Sequence, residues 1–298
     1  MARNYMYRNI KDQLFDISVY VVLIMISAIM LYPLLNAVAI SLSSYNYYLL
    51  HPMMIFPRKI DLSAFILVFT NKQIFTSYGN TLFVTISGTA LAIFLTTLTA
   101  YPLSRKELRW KRGFMTYFVI VMVFQAGIIP EYLVIAGLGM YNSLWALIVP
   151  FLMPIYHLVL MKTFFESVPD SMIEAAKIDG AHELYIYIKV ILPLSKAAIA
   201  AIGLFQAILF WNDFFKAVIF LREQAKWPLQ LLLREIINSA TAQYASSGGN
   251  LAEVNINIIA PKSVQYASLV VVILPIICVY PFIQKYFVKG VMIGAVKE

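Results

Sequence analysis

The chain has 298 residues, 61% of them hydrophobic and only 13% charged, with a formal net charge of +8. Soluble domains carry roughly 25% charged residues, so a single water-soluble core is excluded and a lipid bilayer is the natural solvent. The basic residues are dispersed among apolar runs, which fits lipid headgroups and a sidedness bias and gives no reason to expect a nucleic-acid partner. A lone cysteine, Cys278, excludes an internal disulfide and a multi-thiolate metal site.

In chain order, the opening "MARNYMYRNIKDQLFD" is basic but leads into an apolar run longer than a signal-peptide core, with no small-residue cleavage site. It is expected to stay attached. Runs near the roughly 20 residues a spanning helix needs occur at Ile17–Ile40, Tyr78–Pro102, Phe114–Leu133, Leu144–Met161, Ala197–Phe220 and Ala267–Phe287. The expected fold class is therefore an all-α polytopic membrane protein with six transmembrane helices. Gly127 and Pro130 interrupt the third span, which membrane helices tolerate where neighbours satisfy the freed backbone groups. Counting Lys and Arg sets the orientation. With the N-terminus inside, 15 of the 23 fall on that side, including the dense "SRKELRWKR" from Ser104 to Arg112. Both termini and the connection 162–196 are then cytoplasmic.

Two outer segments exceed simple turns. Residues 41–77 are rich in aromatics, and in 221–266 Pro228 can open a short amphipathic helix before the flexible tip "SSGGN". Ala260-Pro261 would then start the last span. The chain divides into 1–77 (tail, first span and outer loop) and 78–298, a core of five spans with loops 162–196 and 221–266.

The inner loop reads "ESVPDSMIEAAKIDGAHELYIYIKVILPLSK" over residues 166–196. Ser171 and Glu174 fit a capping box, Ala175 to Lys177 favour helix, Gly180 permits a turn, and a second short helix follows until Pro193. One reading is a well-capped loop in which Glu174 is only a cap. The other starts from small residues and the alternating "YIYI": a solvated loop gains nothing from them, whereas a docking surface does.

Glu174-Ala-Ala, three residues, Gly180, then Val190, Leu192 and Pro193 resembles the EAA signature of ABC importer transmembrane subunits, with Val190 in place of isoleucine. "TLFVTISGTALAIFLTTLTAYPLSR", "WNDFFKAVIFL" and "PFIQKYFVKGVMIGAVK" also look like the sugar-importer permeases of the maltose-type branch, especially those for oligosaccharides and polysaccharide fragments. The resemblance implies a type I importer permease in a bacterial cell membrane. It would pair as a heterodimer with a second homologous permease subunit and work with two ATP-binding subunits and an extracytoplasmic sugar-binding protein. It further implies a coupling loop in which Glu174, Ala175, Ala176, Asp179, Gly180 and Ala181 meet the ATPase: Glu174 toward a basic side chain, the alanines for close approach, Gly180 for the angle between the helices. ATP and Mg would be held by the partner ATPase, with no cofactor in this chain and no catalytic residue. The outer loop 221–266 is a candidate contact for the binding protein.

Polar residues inside spans are functional suspects. Asn212, Asp213 and Lys216 lie in "FWNDFFKAVIF", where Asp213 and Lys216 can pair as an anchor; alternatively Asn212 and Asp213, with Gln125 and Trp211, line a sugar path. A secondary transporter or channel is the competing function, but no internal repeat is visible and Asp213 is the one acid well inside a span. His51, His157 and His182 lie at dissimilar depths, against an intramembrane metalloenzyme. The absence of any G-x-x-x-x-G-K-[ST] run argues that ATP hydrolysis belongs to a partner.

Overall fold

The computed structural model describes residues 10–124, 126–246 and 262–278. Apart from one antiparallel bridge between Ser43 and Ile60, their regular structure is helical. They fall into two compact units divided within residues 70–71, 235–236 and 271–272.

The first unit carries α1 (Ile10–Ser41), α2 (Tyr45–Leu50) and α3 (Ser63–Thr70). Apolar residues lie all round α1, with Leu14, Ile24 and Met30 each more than 65% exposed, the pattern of a helix solvated by lipid or by another membrane helix. At its end, Asn36 Nδ2 donates to the carbonyls of Pro52 (3.1 Å) and Met54 (2.8 Å), folding the following loop back. Ala39, Ile40, Tyr48 and Met54 close a small core there.

In the second unit α4 (Lys72–Ser104) is the central element, packed most extensively against α11 (Lys196–Asn212) and α7 (Ile155–Glu166). Asn71 starts α4 by accepting from the Gln73 N–H at 2.9 Å. At 1.5 Å per residue its 33 residues extend about 50 Å, longer than the roughly 30 Å hydrocarbon core, so one end or both leave the lipid. Close approach to α11 depends on Gly88. A Cβ there would sit 2.7 Å from the Phe210 ring, whereas one at Gly203 would meet Ile93 at an ordinary 3.6 Å. Gly88→Ala should therefore cost about 1–3 kcal/mol through overpacking, and Gly203→Ala should be close to neutral. Thermal unfolding of the two variants in detergent checks this, and equal melting temperatures would contradict it.

Two described helices, Gln13–Ser41 and Lys72–Ser104, are each long and apolar enough to cross a membrane unbroken, matching the first two expected spans. The next three are not single helices. The third is α5 (Lys111–Val123) and α6 (Ile128–Gly137), parted by Gly127 at φ +82°. In the fourth, 3₁₀ turns at Leu144–Leu147 and Val149–Phe151 precede α7 at a 47° bend, because Pro150 and Pro154 deny the backbone regular α bonding. The fifth is α11 and α12 (Phe215–Phe220), separated at Asp213 in extended conformation.

The order continues with α8 (Asp170–Ile178), α9 (Glu183–Ile186), α10 (Leu192–Leu194), α13 (Leu229–Ser246) and α14 (Lys262–Cys278). Pro228 opens α13 as expected, but the helix is 18 residues long rather than short. Most of the expected tip, 247–250, the restart at Ala260-Pro261 and the distal half of the sixth span lie outside the described residues.

Helix α6 ends in a Schellman motif. Gly139, at φ +70°, donates to the Ala136 carbonyl (3.0 Å), Met140 donates to Ile135 (3.1 Å), and the Met140 and Ile135 side chains enter one apolar cluster.

Candidate functional site

The loop 162–196 folds as two short helices about a turn. The capping box expected of Ser171 and Glu174 does not form, since the N-cap position is Pro169 and Ser171 is already inside the first turn. Asp170 takes the favourable acidic place at the helix start and binds Lys106 Nζ at 2.7 Å. That hydrogen bond and the lysine charge hold the Asp170 carboxyl below its ordinary range.

The end of α8 explains most of the motif. Gly180, at φ +81°, donates to the Lys177 carbonyl (3.0 Å), and Ala181 donates to Ala176 (2.9 Å): a second Schellman motif. Ala176 and Ala181, which flank the motif's two bonds, are half-buried against the cluster containing Ile173 and Ile186. Glu174, Ala175, Asp179 and Gly180 are exposed, so the two alanines of the motif divide, one facing inward and one outward. Beside them Ile178 is 86% exposed, and Met172, Leu184, Tyr185 and Ile188 are exposed too. This is an apolar surface on a polar loop.

Helix α9 is capped by His182, whose Nδ1 accepts from the Tyr185 N–H at 3.0 Å. Pro193 does not end the helical run directly. A π-helical turn, Tyr187–Ile191, carries the chain into α10 with Pro193 in its first turn. A proline ring collides with the carbonyl four residues back, here Lys189, and the wider π turn accommodates it. The segment Glu183–Leu194 then meets α11 at 79°.

Several ties run from this loop to the end of α4. Glu183 accepts from the Tyr101 hydroxyl at 2.5 Å and pairs with Lys177 Nζ at 3.0 Å. Arg105 donates to the Phe165 carbonyl at 3.3 Å, and Glu166 binds both Lys111 and Lys162. Between them lies a groove of about 650 Å³ lined by Arg105, Lys106, Lys111, Glu166, Asp170 and Glu174 among others.

The second set of expected residues gathers at the break between α11 and α12. Asp213 Oδ2 pairs with Lys216 Nζ at 2.8 Å, as their spacing predicts, and Asp213 Oδ1 accepts from the Lys216 N–H at 3.2 Å. Lys216 Nζ lies 3.6 Å from the Phe151 ring centroid. Asn212, Asp213, Lys216 and Gln206 line a niche of about 490 Å³ with Phe151 and Phe210. A second hollow of about 810 Å³ shares Phe151 and Lys216 and contains Glu131. Beneath the niche, His157 Nδ1 meets Gln206 Oε1 at 2.9 Å, and Gln206 Nε2 donates to the Phe151 carbonyl at 3.1 Å. Trp211 does not line the niche; it is buried, edge-on to Tyr78 with centroids 6.5 Å apart. Gln125 lies outside the described residues.

One hub was not foreseen. Asn142, in left-handed conformation at φ 58°, accepts from the Arg222 and Glu223 N–H groups at 3.1 Å each and donates to Glu223 Oε1 at 2.7 Å. Its N–H reaches the Phe220 carbonyl at 2.8 Å, and its carbonyl accepts from Lys226 at 2.9 Å. Lys226 and then Asn142 hold the Glu223 carboxyl below its ordinary range. Asn80 secures the same stretch by donating to Ala225 (2.8 Å) and Trp227 (3.2 Å).

Described residues that are almost wholly helical, with broken apolar spans and a capped polar loop, have the make-up of a membrane transport component. Residues 2–293 match the family of binding-protein-dependent transport system inner membrane components, and the chain belongs to that family. It is 38% identical over 290 residues to the polygalacturonan/rhamnogalacturonan transport system permease protein YtcP of Bacillus subtilis (strain 168), covering 96% of this chain and 99% of that one. Protein LplC of the same organism is 35% identical over 299 residues, 100% of both chains. The crystal structure of a bacterial ABC transporter involved in the import of the acidic polysaccharide alginate aligns with a TM-score of 0.84 at 34% identity, over 95% of this chain and 99% of that one.

Proposed function

We propose that this chain is one of two permease subunits of an ATP-driven importer and forms part of the path for an oligosaccharide handed over by an extracytoplasmic binding protein. The observation that carries the reading is the loop around Gly180. It exposes Glu174, Ala175 and Ile178 on a Schellman-capped turn and is tied by side-chain bonds to the central helix α4. An exposed apolar surface of that kind fits a protein partner, and an ATP-binding subunit is the partner that a binding-protein-dependent system requires. Glu174 would face a basic side chain of that subunit, with Ala175, Asp179 and Gly180 beside it and Ala176 and Ala181 shaping the turn from within. ATP and Mg belong to the two ATP-binding subunits.

The wider arrangement is six spans in a bacterial cell membrane with both termini and loop 162–196 inside. The core would begin at residue 78, after the tail, first span and outer loop of 1–77. Loop 221–266, held at its start by Asn142 and Asn80, is the candidate contact for the binding protein. Asn212 and Asp213 would supply polar contacts to a sugar beside the apolar faces of Phe151 and Phe210, with Gln125 as a further polar contact along the path and Trp211, buried against Tyr78, supporting the wall from behind.

The test is co-expression with the neighbouring permease, the ATPase and the binding protein, followed by ATP-driven uptake in proteoliposomes. The names of the relatives make uronate-containing oligosaccharides the first substrates to try, with neutral ones beside them. Co-purification of all subunits and ATP-dependent uptake are expected, and Glu174→Arg should release the ATPase. Ion-gradient transport by the chain alone would overturn the reading in favour of a secondary transporter.

A further inference from the structure

Two hydrogen bonds join α4 to the second half of the loop, and their spacing is regular. On α4 the residues are Thr97 and Tyr101, four apart; on the loop they are Glu183 and Tyr187, also four apart. Tyr101 donates to Glu183 Oε2 at 2.5 Å, and Tyr187 donates to Thr97 Oγ1 at 2.9 Å. Thr97 in turn donates to the Ile93 carbonyl at 2.8 Å. Residues four apart lie on one face of a helix, one turn above each other. The two segments are thus laced antiparallel at two successive turns.

Between the ties the Tyr101 and Tyr187 rings pack with centroids 5.2 Å apart, and the Arg105 guanidinium lies over the Tyr101 ring, 5.1 Å from its centroid. Thr97, Tyr101 and Tyr187 are all buried. One bond alone allows a pivot, whereas two bonds a turn apart with a ring contact between them fix both separation and rotation. Glu183 adds α8 to the junction through Lys177. Both described ion pairs that reach α8 are exposed, Lys106–Asp170 at 83% and 59% and Lys177–Glu183 at 40% and 58%, and such pairs contribute little. A charge-assisted hydroxyl–carboxylate bond is the stronger connection.

We propose that Thr97, Tyr101, Glu183 and Tyr187 form the rigid joint through which movement of the loop is passed to α4, so that they are positioning residues for coupling ATP hydrolysis to translocation. This rests on the reading of the loop as the ATPase contact. The joint is not itself the docking surface: three of its four members are buried, and the exposed residues of the motif lie on the other side of Gly180. Movement imposed at α8 is then passed to α4 through the joint, beside the apolar cluster that holds Ile173 and Ile186 with Ala100 and Leu103.

The experiment uses the whole importer in proteoliposomes and reads oligosaccharide imported per ATP hydrolysed, with subunit association measured alongside. Tyr101→Phe removes the hydroxyl and keeps the ring contact; Thr97→Val removes the second tie with little change of volume. The double variant should keep its ATPase and hydrolyse ATP, while uptake per ATP falls about tenfold, within the usual range of coupling energies. Glu183→Gln keeps an acceptor for Tyr101 but loses the charge that strengthens that bond and faces Lys177, so its ratio should fall between the unmodified protein and the double variant, whereas Glu183→Leu, which leaves Tyr101 without its acceptor, should lie close to the double variant. An unchanged ratio in the double variant would overturn the joint, and so would loss of the ATPase, which would make these residues part of the docking shape. If the unmodified chain fails to bind an ATPase at all, the proposed function fails before the joint is tested.

Discussion

Replacing Gly180 with leucine should reduce ATP-driven uptake by at least tenfold in the assembled importer while leaving the permease folded. Nothing lies within 4 Å of the position a Cβ would take, so the substitution meets no steric wall. Its cost comes from the backbone: at φ +81° an L-residue pays roughly 1–2 kcal/mol. A penalty of that size does not unfold the chain, but it is enough to favour another turn. Relaxing the turn breaks the bonds from Gly180 to Lys177 and from Ala181 to Ala176 and re-aims α9 relative to α8. The leucine also adds four carbons to the surface proposed to seat against the ATPase. Gly180→Asn should recover part of the uptake, because asparagine tolerates the left-handed region better. ATPase co-purification, uptake and thermal unfolding, measured together, separate the cases. Wild-type uptake with normal association in the leucine variant would remove the turn from the mechanism.

The second large effect concerns Asp213 and Lys216. Their charged atoms are 2.8 Å apart, with the side chains only 16% and 33% exposed, beside a niche whose other polar lining is the uncharged Asn212 and Gln206. Removing one partner leaves the other charge without compensation, whereas removing both leaves neutral groups. Lys216→Met and Asp213→Asn should each destabilise the protein by about 2–3 kcal/mol, and the double variant should lie closer to the unmodified protein than either single one. The amide oxygen introduced by Asp213→Asn can still accept from the residue 216 N–H, so the start of α12 is preserved. Thermal unfolding of the four proteins in detergent closes the cycle. Additive losses in the double variant would show that the pair contributes nothing as a pair.

How far these features could be read from the residues depends on how local their causes are. α1 and α4 lie where apolar length puts them, because a long helix in lipid needs little beyond continuous hydrophobicity. The turn at Gly180 was legible for the same reason: a glycine after a helical run supplies its own conformation. The start of α8 was not, since a serine and a glutamate three apart suggest a capping box whatever precedes them, and Pro169-Asp170 shifts the start by two residues. The break before α12 lies in a run that is apolar on both sides. It depends on Asp213 capping the next turn and on Phe151 from a distant segment receiving Lys216. Asn142 carries no local mark for a similar reason: its left-handed turn is made worthwhile by Arg222 and Glu223, some 80 positions away in the chain. Within the niche, the spacing of Asp213 and Lys216 foretold their pairing, but nothing local marked Gln206 as its buried floor or Trp211 as standing behind it.

The π turn at Tyr187–Ile191 has a consequence for how this protein tolerates change in length. A helix is a screw, and each residue advances it by about 100°. The π turn accommodates one residue more than a regular turn, and so resets the phase between the Glu183–Tyr187 face and everything from α10 onward. Deleting a single residue there would let the screw run regularly, but it would turn everything beyond by about 100° around the axis of Glu183–Leu194, and since α11 leaves that segment at 79°, α11 would swing away from its place on α4. Either Gly88 would lose its place opposite Phe210 or Glu183 and Tyr187 would turn away from Tyr101 and Thr97. Substitutions in this segment can be graded, whereas a change of one in its length is all or nothing.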